Sequence, residues 1–197
     1  IQDVASNLPR IDYTGGVGSW KFEPQRTNSV SYSEDLSNAA WSKSNAIITA
    51  NVTISPDGSL NADNVVTNNQ NSTVTQLITV SNNSSTITQS TFIKYISGTP
   101  NYMLRGAIVG GTAVAQLSKF DVLKGIITET DTTAKIENYG NGWYRLSQQL
   151  TNNSSGNTTL VFQQYTTSNV TSTSEFSLWG AMLEEGSYLT SYIRSNS

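Results

Sequence analysis

The chain has 197 residues, enough to bury about 70% of its unfolded surface in one large β-domain, or in one domain with an extended arm. It carries no cysteine and no histidine, which excludes disulfides, thiolate metal sites, the usual general base and the commonest zinc ligand. Its net charge is -3, its pI is near 4.8 and 13% of its residues are charged, so it lacks the basic balance of a nucleic-acid binder. It also has no run of 18 apolar residues. Neither nucleic-acid binding nor membrane insertion is therefore expected.

Asn, Ser and Thr are abundant throughout, while Lys and Glu are scarce. Thr favours strands; Asn and Ser favour turns and local hydrogen bonds. Four Trp, nine Tyr and five Phe, spread along the chain, argue for a packed core rather than a polar linker. The opening IQDVASNLPR lacks the charged-then-apolar order of a signal peptide. Without an initial Met, the chain is expected to be a piece of a longer protein or a processed product.

Residues 1–28 are set apart as an extended arm or hairpin. They hold Pro9, Pro24 and the cluster Gly15-Gly16-Val17-Gly18, with short strands expected at 8–13 and 19–22. Residues 29–197 form the main domain. Ser33 is a candidate N-cap, followed by acidic and small residues up to Trp41, which reads as one or two helical turns. Ala46–Ile54 is a strand, and Ser55-Pro56-Asp57-Gly58 carries the signature of a type I turn. Further strands are expected at 64–67, 73–80, 86–96 and 102–109, with Gly110-Gly111 as a tight turn. Strands at 112–121, 126–128 and 135–139 precede the turn Gly140-Asn141-Gly142. In the next strand, 143–150, Tyr144, Leu146, Gln148 and Leu150 share one face; Trp143, Arg145, Ser147 and Gln149 share the other. A strand at 158–166 follows, with polar loops on either side of it.

The last strand begins near 177. Alternation places Phe176, Leu178, Gly180 and Met182 on one side, and Ser177, Trp179, Ala181 and Leu183 on the other, before a turn at Glu184-Glu185-Gly186. Large residues on both faces mark a central strand covered on both sides. About ten strands, with turn signals every 8 to 14 residues and no long helix, predict an all-β fold. The expected architecture is a two-sheet β-sandwich (jelly roll), carbohydrate-binding-module-like or concanavalin-like.

Several motifs occur in a fixed order: RIDYTGGVGSWKFEPQRTN at 10–28, YSEDLSNAAW at 32–41, SPDGSLNADNVV at 55–66, GWYRL at 142–146 and WGAMLEEGSYLTSYI at 179–193. In this order they are similar to domains of bacteriophage tail-fibre and head-fibre proteins, over nearly the whole chain. Those domains are commonly related to carbohydrate-binding modules of the jelly-roll type. The resemblance implies a jelly roll on a virion appendage, assembled as a homotrimer and contacting a polysaccharide or cell-surface glycan. It supplies no shared catalytic set. The tail RSNS departs from the Pro-containing end expected of such domains.

Sugar binding on a sandwich needs an aromatic plane to stack on a pyranose, planar amides or charges for hydroxyl pairs, and an open face. Strands expected to be neighbours supply Lys94 and Tyr95, Tyr102 and Arg105, Trp143 beside Arg145, Gln163 and Tyr165, and Trp179. Each has a structural alternative. Trp41 and Trp143 follow turns and suit plugs at the ends of the core; Trp179 suits the core; Arg105 suits a cross-strand pair. Two mid-strand amides, Gln163 and Gln164, are costly to bury unpartnered, so at least one should face solvent or ligand.

Catalysis has less support. Glu184-Glu185 reads as a pair of solvated acids in a turn, and Glu129-Thr130-Asp131 offers two acids on one face with no third group. Tyr95, Tyr144 and Arg105 could serve a lyase, but no spacing demands it. No cofactor is required by any motif. Jelly rolls of this kind often hold one structural calcium ion, although Asp57, Asp63 and Asp121 cannot be assembled into a site from sequence. The leading expectation is a non-catalytic glycan-binding module on a phage appendage or extracellular surface. The alternative is a structural fibre or capsid-decoration domain without sugar binding, and the third is a polysaccharide lyase or hydrolase.

Overall fold

A computed structural model describes residues 23–67, 71–129, 133–165 and 173–196, together with the backbone of 10–12, 19–21 and 166. The Gly15–Gly18 cluster, Asp131 and the loop positions 68–70 and 168–172 lie outside the described residues. In chain order the strands are β1 (Arg10–Asp12), β2 (Ser19–Lys21), β3 (Ser42–Ser44), β4 (Ala46–Ile54), β5 (Leu60–Thr67), β6 (Thr73–Thr79) and β7 (Thr86–Ser97). They continue with β8 (Asn101–Val109), β9 (Val114–Asp121), β10 (Ile126–Glu129), β11 (Lys135–Gly140), β12 (Trp143–Thr151), β13 (Thr159–Thr166) and β14 (Ser174–Glu185). No helix occurs among the described residues.

β1 and β2 pair as an antiparallel ribbon, with Ile11 opposite Trp20. The other strands form two six-stranded antiparallel sheets. Sheet 1 runs β10-β9-β8-β13-β6-β3, and sheet 2 runs β11-β12-β7-β14-β5-β4. The chain crosses between the sheets at β3–β4, β5–β6, β6–β7, β7–β8, β10–β11, β12–β13 and β13–β14. Successive strands are thus often in different layers, which makes the sandwich a jelly roll. Its core lies between the sheets and includes Trp41, Ile93, Leu104, Phe120, Leu146, Phe162, Phe176 and Leu178. Burying each of these apolar side chains fully contributes about 2 kcal/mol relative to exposure.

The turns follow from residues that tolerate positive φ. Gly140, Asn141 and Gly142 have φ of 81°, 52° and 80°, which is why Asn and Gly stand together between β11 and β12. The Asn-rich loop after β12 is held by its own amides. Asn157 Nδ2 donates to the Thr112 carbonyl at 2.6 Å, Asn152 Nδ2 donates to the Ser81 carbonyl at 2.9 Å, and Asn157 Oδ1 accepts from Gly111 N–H at 2.8 Å. Much of the unusual composition is therefore loop backbone being satisfied by neutral side chains.

Two local expectations are corrected. Residues 32–41 form no helix; they are a chain of turns, with Asp35 N–H donating to the Tyr32 carbonyl, Asn38 N–H to Asp35, and Trp41 N–H to Asn38. Ser33 is not a cap: its hydroxyl meets Tyr192 OH at 2.7 Å and donates to the Ser195 carbonyl at 3.0 Å. In β14 the alternation changes phase. Trp179 stands opposite Phe92, but the next paired residue is Met182, opposite Ser90, so one extra residue is accommodated. Gly180 takes the left-handed conformation (φ 61°) that makes this bulge. Consequently Phe176, Leu178, Ala181 and Leu183 face the inter-sheet core, while Trp179 and Met182 face outward into a second cluster.

Candidate functional site: one open sheet face

Over β12, β7 and β14 the outer face of sheet 2 is closed by the chain itself. Phe92, Trp143, Trp179, Met182 and Tyr192 form a buried cluster there. The Trp179 ring lies 5.1 Å from Phe92 and 4.5 Å from Tyr192, centroid to centroid. Arg145 is buried in the same layer. It stacks 5.0 Å over Phe92, and donates to the Thr190 carbonyl at 2.8 Å and to Ser90 Oγ at 3.1 Å. Burial lowers its pKa below the usual guanidinium value, against the opposing pull of Tyr139, Glu137 and Glu184. The covering segment is the C-terminal tail. Glu184, expected to be a solvated acid in a turn, is instead the last buried residue of β14; its carboxylate accepts from Thr190 N–H and Oγ1, each at 2.7 Å. Glu23 accepts from Ser191 N–H at 3.0 Å.

Residues 28–33 complete this closure. β5 pairs with β14 over 174–178. Beyond that point the same edge of β14 is taken by Ser33, whose carbonyl accepts from Ala181 N–H at 2.9 Å, and by Ser29, whose N–H donates to the Leu183 carbonyl at 2.8 Å. Asn28 fills the gap between them with its side chain, donating to the carbonyls of Ala181 (3.0 Å) and Ile193 (2.8 Å) and accepting from Leu183 N–H (3.0 Å).

No described segment crosses the outer face of sheet 1. Register places its side chains in rows across four strands. One row reads Thr73, Tyr165, Met103, Lys119; the next reads Thr75, Gln163, Arg105, Leu117; the third reads Leu77, Val161, Ala107, Ala115. Toward the sides of the face Leu77 is 67% and Leu117 38% exposed, while Met103 and Ala107 on the central strand β8 are buried between their neighbours; the small Ala107 and Ala115 make that part of the third row low beside the Arg105 row. Arg105 Nη1 reaches Gln163 Oε1 at 3.5 Å, the outer limit of a hydrogen bond, and Gln163 Nε2 donates to Thr75 Oγ1 at 3.3 Å. Lys119 is ion-paired to Glu129 at the rim. Tyr165 is half-buried; burial raises its phenol pKa, while Arg105 and Lys119 pull in the opposite direction. Both cations stand on the β8–β9 side of Tyr165, Arg105 one strand away and Lys119 two strands away in the same row.

The sequence-derived candidates fall on both sheets, contrary to the expectation that their strands are neighbours. β7, β12 and β14 belong to sheet 2, and β8 and β13 to sheet 1. Arg105, Gln163 and Tyr165 share the open face. Tyr102 points into the core, 3% exposed, and donates to Gln164 Oε1 at 3.0 Å. Tyr95 also packs against the core, its hydroxyl donating to the Gly98 carbonyl at 2.8 Å. Trp143 and Trp179 lie in the closed layer of sheet 2, where Trp143 Nε1 donates to the Ile54 carbonyl at 3.1 Å. Lys94 lies on that side too, opposite Trp143 and beside Gly142. Lys119, Thr75 and Leu117 were missed; strict alternation inward from Phe120 would have turned Lys119 and Leu117 outward together. Asp57, Asp63 and Asp121 stand on separate elements. Asp63 is buried, with a pKa raised by that burial, and accepts from Leu36 N–H (2.7 Å) and Asn51 N–H (3.0 Å). Among the described residues no group of three acidic side chains could hold a metal ion.

No protein-family model matches the chain, and no curated protein matches it in sequence. Solved structures do. The chain is similar to the enzymatically active domain of tailspike protein 4 of bacteriophage CBA120, with a TM-score of 0.53 at 13% identity over 80% of this chain and 21% of that one. Another similar structure is that of the CBM22-1–GH10 modules of endo-1,4-β-D-xylanase 10B from Clostridium thermocellum, solved with xylohexaose; the TM-score is 0.45 at 13% identity, over 85% of this chain and 29% of that one. The chain therefore spans about a fifth of the tailspike structure, and the likeness is one of fold.

Proposed function

We propose that the chain is a non-catalytic glycan-binding module of a phage virion appendage, and that it holds its polysaccharide on the outer face of sheet 1. The observation that carries this reading is the asymmetry of the two outer faces. The chain closes the middle of one with its own tail, and no described segment does the same over the other, which carries Tyr165, Gln163 and Arg105. Tyr165 offers a ring for stacking, Gln163 an amide, and Arg105 a fork of donors; the low apolar row beside them fits the C–H face of a sugar chain. The tailspike likeness supports the setting through its fold alone. Each site would bind weakly, and several copies on one appendage would raise avidity.

Changing Tyr165 to Ala is expected to weaken polysaccharide binding by roughly tenfold, the loss of one stacking contact worth about 1–1.5 kcal/mol. The far-ultraviolet circular dichroism and the melting temperature should stay close to those of the parent. A pull-down against insoluble polysaccharides, followed by titration calorimetry on the best binder, measures this. Undiminished binding by the folded variant would remove the open face from consideration.

A second reading, a structural fibre domain that assembles through this chain, is favoured by exposed apolar residues on the outer β4–β5 hairpin of sheet 2: Ile47, Val52, Ile54 and Leu60, each between 47% and 62% exposed. An edge strand of this kind invites pairing with another chain. Light scattering at micromolar concentration should then give a trimer that Ile54→Lys dissociates. A clean monomer would count against this assembly surface.

A further inference from the structure

We infer that the glycan held on the outer face of sheet 1 is acidic, a polysaccharide bearing carboxylates on its sugar rings. The inference rests on the glycan-binding reading above and adds the chemical class of the ligand. Arg105 stands near the middle of the face, flanked by Gln163 and Leu117 in its row. Among the described residues its hydrogen-bond contact is a neutral amide at 3.5 Å, and the ion pairs formed there are those of Lys119, Lys124 and Arg194, not of Arg105. Its five donors are therefore largely unused by the described residues.

Lys119 lies in the adjacent row, beside Met103 and two strands from Tyr165. Arg105 is one strand and one row from Tyr165, and Lys119 shares the row of Tyr165 across Met103, so both cations lie on the part of the face that the stacked sugar would extend over. Among the described residues of these rows the acid at this patch is Glu129, at the end of the short rim strand β10 and paired with Lys119. Among the described residues, Arg105, Lys119 and Glu129 leave this patch at +1, and the pair Asp121–Lys124 one row beyond adds nothing to it, on a chain whose total is -3. The excess positive charge sits where a sugar chain would lie, and acids elsewhere keep the whole molecule negative.

A guanidinium whose fork is open takes a carboxylate in a two-point contact, which a neutral hydroxyl pair cannot match in charge. A ring carboxylate stacked beside Tyr165 would meet Arg105 on one side and Lys119 on the other. A single unpaired arginine on a flat face is too little for nucleic acid, which needs a run of phosphate contacts. The length of the face, four strands wide, suits a linear polymer crossing it.

The test compares polygalacturonate, alginate and hyaluronan with their carboxyl-reduced counterparts, in which each ring carboxylate has become a primary alcohol on the same backbone. Binding of the full chain is measured at low and at 0.5 M salt. The inference expects at least one acidic polymer to bind roughly tenfold more tightly than its reduced form, with the difference shrinking at high salt. Arg105→Gln and Lys119→Gln should each erase most of that difference. Lys119 is the more peripheral change and keeps the test valid should Arg105→Gln fold poorly. Equal binding of acidic and reduced polymers would overturn the inference while leaving glycan binding intact. Binding to neutral polymers alone would do the same. Binding to none of the polymers, acidic, reduced or neutral, would overturn both. Equal affinity for single-stranded DNA would reduce the face to a general polyanion binder and would also overturn the inference.

Discussion

Replacing Trp179 by Ala should destabilise the fold by about 3–5 kcal/mol, the range for removing a fully buried large aromatic side chain, and should leave glycan affinity unchanged wherever the variant is folded. Trp179 is 1% exposed, between Phe92 and Tyr192, on the side of β14 away from the open face. Its indole is the middle of the layer that the C-terminal tail closes, so the cavity would extend under Tyr192 and loosen the tail. Urea denaturation checks the first part and calorimetry below the transition checks the second. Trp179→Phe should cost clearly less, since most of the ring contact remains. A folded Trp179→Ala variant of normal stability that bound glycan poorly would make this tryptophan a ligand platform after all.

Asn28→Ala is expected to be nearly as severe, at about 3 kcal/mol, although it removes a small polar side chain. Asn28 is 6% exposed and holds two carbonyls and the Leu183 N–H at the point where β5 stops pairing with β14. The alanine leaves those three groups without their partner, and each buried orphan costs about 1–3 kcal/mol, less whatever water recovers. Asn28→Asp should not rescue stability, because a carboxylate cannot donate to the Ala181 and Ile193 carbonyls. The denaturation midpoint should fall with an unchanged slope. A shift under about 1 kcal/mol would mean that the residues 28–33 are a loose strap rather than part of the sheet edge.

Most of the fold could be read from residues with a clear local meaning. Turn chemistry at Pro56-Asp57-Gly58 and Gly140-Asn141-Gly142 bounded the strands, and the facing of β12 follows from simple alternation. The phase change in β14 could not be read, because Gly180 looks like an ordinary strand residue until its positive φ is seen. Nor could the assignment of strands to sheets. The short Ser97-to-Pro100 link between β7 and β8 suggests a hairpin, yet these strands lie in opposite layers. That single ambiguity scattered the candidate site. Tyr102 and Arg105 sit three apart on one strand, so one faces the core and the other the open face. Of the two mid-strand amides, Gln163 turns outward as the burial argument requires, while Gln164 turns inward, where its Oε1 accepts from Tyr102 and its Nε2 has no partner among the described residues. The role of Asn28 depends on a partner 153 residues away, which no local pattern encodes.

The central claim is that glycan is held on the outer face of sheet 1, and amide chemical-shift mapping during titration with the best-binding oligosaccharide tests it most directly. The predicted result is a contiguous set of shifts over 103–107, 115–119 and 161–165, with β12 and the second half of β14 unmoved. Shifts concentrated on the strand-end loops or on the Trp179 layer would contradict the account.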